Sequence, residues 1–251
     1  MSRSIRGADV SETMKTRAAL VLGIALGAAL TVAAQGYFGE IWRTYSEDII
    51  YLTKQHVVLV LISSGLAILV GVPAGILLSR DFMRRYSETL LQVFNIGTTI
   101  PTLAILALSI TLLGIGFKPA IFGLWVATLL PIVRNVFQGL RDVPAHLKEA
   151  AQGMGMTPLH ILRSVELPNA LYVMFAGIRT AVAVNVGTAP LAFLIGGGGL
   201  GELIFTGIDL NDMQMLLAGV IPVGLLSMLA DYALAKGQFW LIPRGVNPLR
   251  P

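Results

Sequence analysis

Six runs of mostly apolar residues, at 18–38, 56–78, 90–113, 119–137, 170–195 and 213–235, constrain this chain more than any other feature. A hydrocarbon core about 30 Å thick is crossed by about 20 helical residues. Lipid offers no water to an open backbone, so runs of this length become spanning helices rather than open strands or loops. Composition agrees: 13% of residues are charged and 55% hydrophobic, against about 25% charged in soluble domains. Pro131 and Arg134 shorten the cleanly apolar part of the fourth run. The expected fold class is an all-α integral membrane protein with six transmembrane helices.

Basic residues orient the spans, because short cytoplasmic segments accumulate them. With the N-terminus inside, Arg3, Arg6, Lys15, Arg17, Arg80, Arg84, Arg85, Arg134, Arg141, Lys148, Arg163, Lys236, Arg244 and Arg250 all fall on the inner side. Arg43, Lys54 and Lys118 fall outside, Arg179 falls within a span, and segment 196–212 has no basic residue. Residues 1–17 then form a cytoplasmic N-terminal segment, 18–235 one six-span domain with an inner loop at 138–169, and 236–251 a cytoplasmic tail. This bias accounts for the net charge of +4 without invoking nucleic acid. The basic start, apolar run and small residues of TVAAQG also fit a cleaved signal peptide, which would leave the other five spans oriented as before. The absence of cysteine excludes disulfides and thiolate metal sites.

The inner loop carries the stretch EAAQGMGMTPLHILRSVELP at 149–168. Asp142 and Pro144 predict a helix start, Gly153 and Gly155 an end or turn, and Thr157–Pro158 a second start. A second short helix then runs to about Glu166, with Leu159, Ile161, Leu162 and Val165 largely on one side. Leu167–Pro168 is expected to stop it, since the residue ahead of proline avoids the helical region. One reading is an amphipathic hairpin on the membrane surface. The other is a docking element whose small face, Ala150 and Ala151, enters a partner's cleft while Glu149 fixes the register.

The spacing Glu149-Ala150-Ala151, three residues, Gly155, nine residues, Val165, one residue, Leu167-Pro168 resembles the EAA motif of binding-protein-dependent ABC importer permeases. That pattern reads EAA-x3-G-x9-I-x-L-P, and only Val165 departs from it. The resemblance implies a type I importer permease of MetI-like fold in the bacterial cytoplasmic (inner) membrane, with this loop as the coupling helix. It also implies partners: ABC ATPase subunits, a second permease copy or sibling permease, and an extracytoplasmic substrate-binding protein. FNIGTTIPTLAILAL (94–108), GIRTAVAVNVGTAPLAFLIG (177–196) and IGGGGLGELIFTG (195–207) are similar to the glycine betaine, choline and carnitine branch, whereas the methionine importer permeases share the overall plan. Pro190 is unusual for that branch and is expected to kink the fifth helix.

Nothing in the chain suggests catalysis of its own. No G-x-x-x-x-G-K-[ST] loop is present, so ATP and Mg belong on the partner ATPase and no cofactor on this chain. His56, His146 and His160 lie far apart without carboxylate company, which argues against a metal site; each reads as an interfacial histidine. Polar residues within spans are costly in lipid and face a cavity or a partner. Asn95, Thr98, Thr99 and Thr102 around Pro101, with Asn185 and Thr188, are therefore candidates for the translocation path, against the alternative of interhelical hydrogen bonding. Arg179 is expected to hold or gate rather than bind. Gly197, Gly198, Gly199 and Gly201 read either as an external gate or as a loop needing positive φ. A secondary transporter would need buried carboxylates; no span core has one, Asp231 being placed in the final turns of the sixth.

Overall fold

The computed structural model describes the backbone of residues 4–242 and of Val246, and side chains from residue 36 onward apart from Arg84 and Glu88. The side chains of residues 18–35, most of the expected first span, lie outside the described residues, as does the tail beyond Ile242 save Val246. Residues 1–46 and 47–251 form two compact units. The first is helical from Ser4, and in it the Tyr37 and Phe38 rings meet edge to face.

The described regular structure is entirely helical: α1 (Ser4–Leu78), α2 (Arg84–Thr99), α3 (Thr102–Leu113), α4 (Phe117–Arg141), α5 (Ala145–Gly153), α6 (Pro158–Ile161), α7 (Leu167–Thr188), α8 (Gly201–Asp209) and α9 (Met213–Leu241). Four stretches among the described residues are long and apolar enough to cross a membrane: Gly36–Leu78, Phe117–Arg141, Pro158–Ile195 and Met213–Leu241. The expected third span would be a fifth, but it is not one straight helix. Ile100 is extended (φ −71°, ψ 125°) because Pro101 follows it, and the chain turns by 100° between α2 and α3.

Prolines reshape two more expected spans. Leu167–Pro168 does not stop the second short helix. Residues Leu162–Glu166 form a π-turn in which the Leu167 N–H bonds Leu162 O, and the wider turn absorbs the bond that Pro168 cannot make, so α6 runs on into α7. The fifth run changes at Ala189 from α to 3-10 winding, Ala189–Ile195, with Pro190 in its first turn. Pro190 has no N–H for Val186 O. The His56 ring supplies one, its Nε2 lying 3.1 Å from that oxygen. His56 is thus not interfacial but almost fully buried, at 1% exposure. The sixth helix extends past 235 to Leu241, which puts Asp231 well inside it rather than in its last turns.

The core of the second unit runs along α4 and α7, flanked by α1, α3 and α9. Ala67, Ile132, Val136, Leu140, Ala170, Met174 and Ile178 form one cluster; Leu59, Leu106, Ala120, Leu124, Val186 and Ala192 form another. Lipid tails are as apolar as leucine, so such helices associate through close packing at small residues. A methyl on Gly75 would lie 2.6 Å from Val136 Cβ, and one on Gly177 would collide with Asn135. These glycines set how closely α1 and α7 approach α4.

Candidate functional sites

At one end of the helices, α5, the turn after it, α6 and the π-turn build the EAA stretch. Asp142 does not cap α5. It ends α4, accepting a hydrogen bond from Gln138 Nε2 at 2.8 Å, and Pro144 takes the N-cap position. After α5, Gly155 has φ +78°. Its N–H bonds Gln152 O and the Met156 N–H bonds Ala151 O, the paired bonds of a Schellman turn, whose left-handed residue favours glycine. Thr157 then caps α6, its Oγ1 accepting from the His160 N–H at 3.4 Å, with Pro158 in the first turn. The EAA residues divide by exposure. Glu149 and Ala150 are exposed, Ala151 is buried against its own chain, and Val165, Leu167 and Pro168 are half-buried. The small face expected to offer two alanines therefore offers only Ala150.

Beside this element opens a groove of about 860 Å³, lined by Arg80, Arg141, Lys148, Glu149 and Glu166 among others. Arg80 Nη1 pairs with Glu166 Oε2 at 2.6 Å, tying the end of α1 to the π-turn. The charged lining suits a polar protein surface.

A second cavity, of about 220 Å³, lies inside the bend between α2 and α3, against α4 and α7. It brings together Thr98, Thr102, Asn185 and Thr188 of the candidate path residues; Asn95, Thr99 and Pro101 are not on its wall. Thr128, Asn135 and Thr180 line it as well. Thr128, Asn135 and Thr180 were missed, though helical spacing carried a signal: Gly177, Thr180, Val184 and Thr188 share one face of α7. Asn185 is 2% exposed and donates to both Ser63 Oγ and Ser64 Oγ at 2.8 Å, so it also makes the interhelical bonds of the alternative reading.

The glycine run is a packed corner. Gly196, Gly198 and Gly199 have positive φ, and the Gly199 N–H bonds Gln55 Oε1 at 3.0 Å, seating the corner on α1. At Gly197 a methyl would lie 2.6 Å from Ala120 Cβ, and at Gly201 one would strike Pro190 O. Arg179 neither faces the cavity nor stands alone. Its Nη2 pairs with Asp231 Oδ2 at 2.9 Å, its Nε reaches Asp231 Oδ1 at 3.1 Å, and its Nη1 reaches Gln238 Oε1 at 2.9 Å. Gln238 in turn donates to Tyr172 O at 3.3 Å. The partners lie on α9, more than fifty residues away, where sequence spacing gives no hint of them.

Residues 71–237 match the family described as binding-protein-dependent transport system inner membrane component. The chain belongs to this family. Among its relatives is the osmoprotectant import permease protein OsmY of Salmonella typhimurium, 52% identical over 196 residues, 78% of this chain and 83% of the relative. The choline transport system permease protein OpuBB of Bacillus subtilis is 42% identical over 208 residues, 83% of this chain and 95% of the relative. A chain of the MetNI methionine ABC transporter, solved in inward-facing conformations, superimposes with a TM-score of 0.70 at 24% identity, covering 79% of this chain and 96% of that one. The fold is therefore that of an ABC importer permease, and members of this family act as membrane subunits of ABC transporters.

Proposed function

We propose that this permease carries quaternary-amine osmoprotectants such as glycine betaine, choline or carnitine across the bacterial inner membrane. The observation that supports the substrate class is the 52% identity to a permease named for osmoprotectant import, reinforced by a choline permease and by a glycine betaine/carnitine/choline permease of Bacillus subtilis at 39% identity. The working unit crosses the membrane through α1, the bent α2–α3 pair, α4, α7 and α9, with the loop at 138–169 on the cytoplasmic side. It pairs with a second permease copy or a sibling. An extracytoplasmic binding protein delivers the substrate, and separate ATPase subunits, holding ATP and Mg, drive it.

Glu149, Ala150, Ala151, Gly155, Val165, Leu167 and Pro168 form the coupling element in this reading. Exposed Glu149 and Ala150 contact the ATPase, while buried Ala151 and left-handed Gly155 hold the turn. The glycine corner and Arg179 fix the positions of α7, α8 and α9 around the path, and no residue of this chain is catalytic. The test is uptake of radiolabelled glycine betaine and choline into proteoliposomes holding the permease with its ATPase and loaded receptor. Uptake should require internal-side ATP and fall with Glu149→Lys, because reversing a docking charge costs on the order of a few kcal/mol. Uptake without the ATPase, or of methionine in place of both amines, would overturn the proposal.

A further inference from the structure

The cavity at the α2–α3 bend has a lining most of whose side-chain hydrogen-bond donors are spent inside the protein, one N–H of Asn135 and the Thr102 hydroxyl being the exceptions. The hydroxyls of Thr98, Thr128, Thr180 and Thr188 donate to Asn95 O, Leu124 O, Ala176 O and Val184 O at 2.7, 2.7, 3.0 and 3.0 Å. Asn135 Nδ2 donates to Pro131 O at 2.8 Å, and Asn185 Nδ2 donates to the two serines of α1. Each of these side chains still offers oxygen lone pairs, and Asn185 Oδ1 is buried without any partner. Pro131 adds to this, since it has no N–H to give the carbonyl of Ala127, and both residues line the cavity. Thr102 is the one lining hydroxyl not so committed. Among the described residues, no charged or aromatic side chain lies on the wall.

We propose that this cavity is an intramembrane subsite for the quaternary ammonium end of the substrate, a reading that rests on the osmoprotectant function above. Oxygens that outnumber the free donors create a negative potential that attracts a cation and leave a carboxylate few donors to accept from. Selectivity filters use neutral oxygens in the same sense. The negative potential attracts either kind of ammonium, and solvation favours the quaternary head. A primary ammonium loses water bonds that the wall replaces only in part, because Ile100, Ile105, Ala181 and Val184 share it with the oxygens. Methylated nitrogen forms no such bonds, and its polarised C–H groups meet oxygen and methyl surfaces alike. The subsite thus differs from an aromatic cage and directs the carboxylate or hydroxyl end of the substrate away from α4 and α7.

The experiment compares Thr180→Lys, Thr180→Met and Thr180→Glu in the complete transporter, because residue 180 is exposed and lines the cavity. Uptake of radiolabelled choline and glycine betaine is measured in proteoliposomes, with receptor-stimulated ATP hydrolysis recorded for assembly. A cation within the wall should lower uptake at least about tenfold relative to methionine of similar length, while glutamate should not fall below methionine. Equal uptake by the Lys and Met variants, or a selective loss with Glu, overturns the subsite. The same trio at Thr188 decides the matter if the Thr180 variants fail to assemble. A wild-type transporter that moves neither amine refutes the osmoprotectant reading itself, whereas one that moves both and ignores the charge refutes the subsite alone.

Discussion

Neutralising Asp231 in an otherwise intact permease isolates the one charge pair that joins α7 to α9. Arg179 makes three contacts with the Asp231 carboxylate and one with Gln238. The two side chains are 28% and 46% exposed, so the pair belongs to neither extreme. Fully exposed pairs contribute about 0.2–1 kcal/mol, and breaking a buried pair costs about 3–5 kcal/mol because one charge is left without compensation. Asp231→Asn should accordingly cost about 2 kcal/mol, with Gln238 Oε1 holding part of the guanidinium. Removing both charges, in Arg179→Met/Asp231→Asn, should cost no more than the worse single change, giving a coupling of about 1–2 kcal/mol.

For a chain of this size about 2 kcal/mol corresponds to a Tm loss of about 4–8 °C, readable by tryptophan fluorescence in detergent or nanodiscs. Salt should shrink the difference, since both partners are reached by solvent. Singles that add without coupling, or an unchanged Tm in Asp231→Asn, would show that the contact carries no stability and that packing alone aligns these helices.

Further outcomes follow from particular residues. Gly155→Val should destabilise by at least about 1–2 kcal/mol and lower ATPase copurification, because φ of +78° is strained for a side chain even though the space is open; Gly153→Val, in open space at ordinary helical φ, should lose less. Gly201→Ala should cost about 1–3 kcal/mol in thermal stability, since the added methyl meets the Pro190 backbone, and a wild-type Tm would sink that account. Exposed Asp209→Cys should react with an impermeant thiol reagent from outside sealed cells, and exposed Gln152→Cys should not; the reverse pattern would overturn the orientation.

Much of this architecture is local, and local features are legible in a sequence. Helical character follows from apolar runs, although α1 runs unbroken through the expected first and second spans. The turn at Gly155 follows from a glycine placed where α5 must reverse into the left-handed region. The Thr157–Pro158 start appears where it was expected for the same reason: capping involves neighbours three residues apart. The errors arose where a proline's effect depends on what surrounds it. Pro101 bends its run because Ile100 has turned extended, whereas Pro131 stays within an unbroken α4. Pro168 is accommodated by a wider turn rather than ending a helix.

Hydropathy, charge bias and the EAA spacing by themselves determined that the chain is a multi-helix membrane permease with a specific polar element, because each is written within a span or a few turns. Only the tertiary structure decided the partners of the polar groups. His56 completes the carbonyl left open by Pro190, Asn185 binds Ser63 and Ser64, and Arg179 finds Asp231 across separations of 130, 122, 121 and 52 residues. A buried polar group in lipid must be satisfied, so the chain announces the need. Which group meets that need is set by how closely glycines let α1, α4 and α7 approach, and no periodicity along one helix records the face of another.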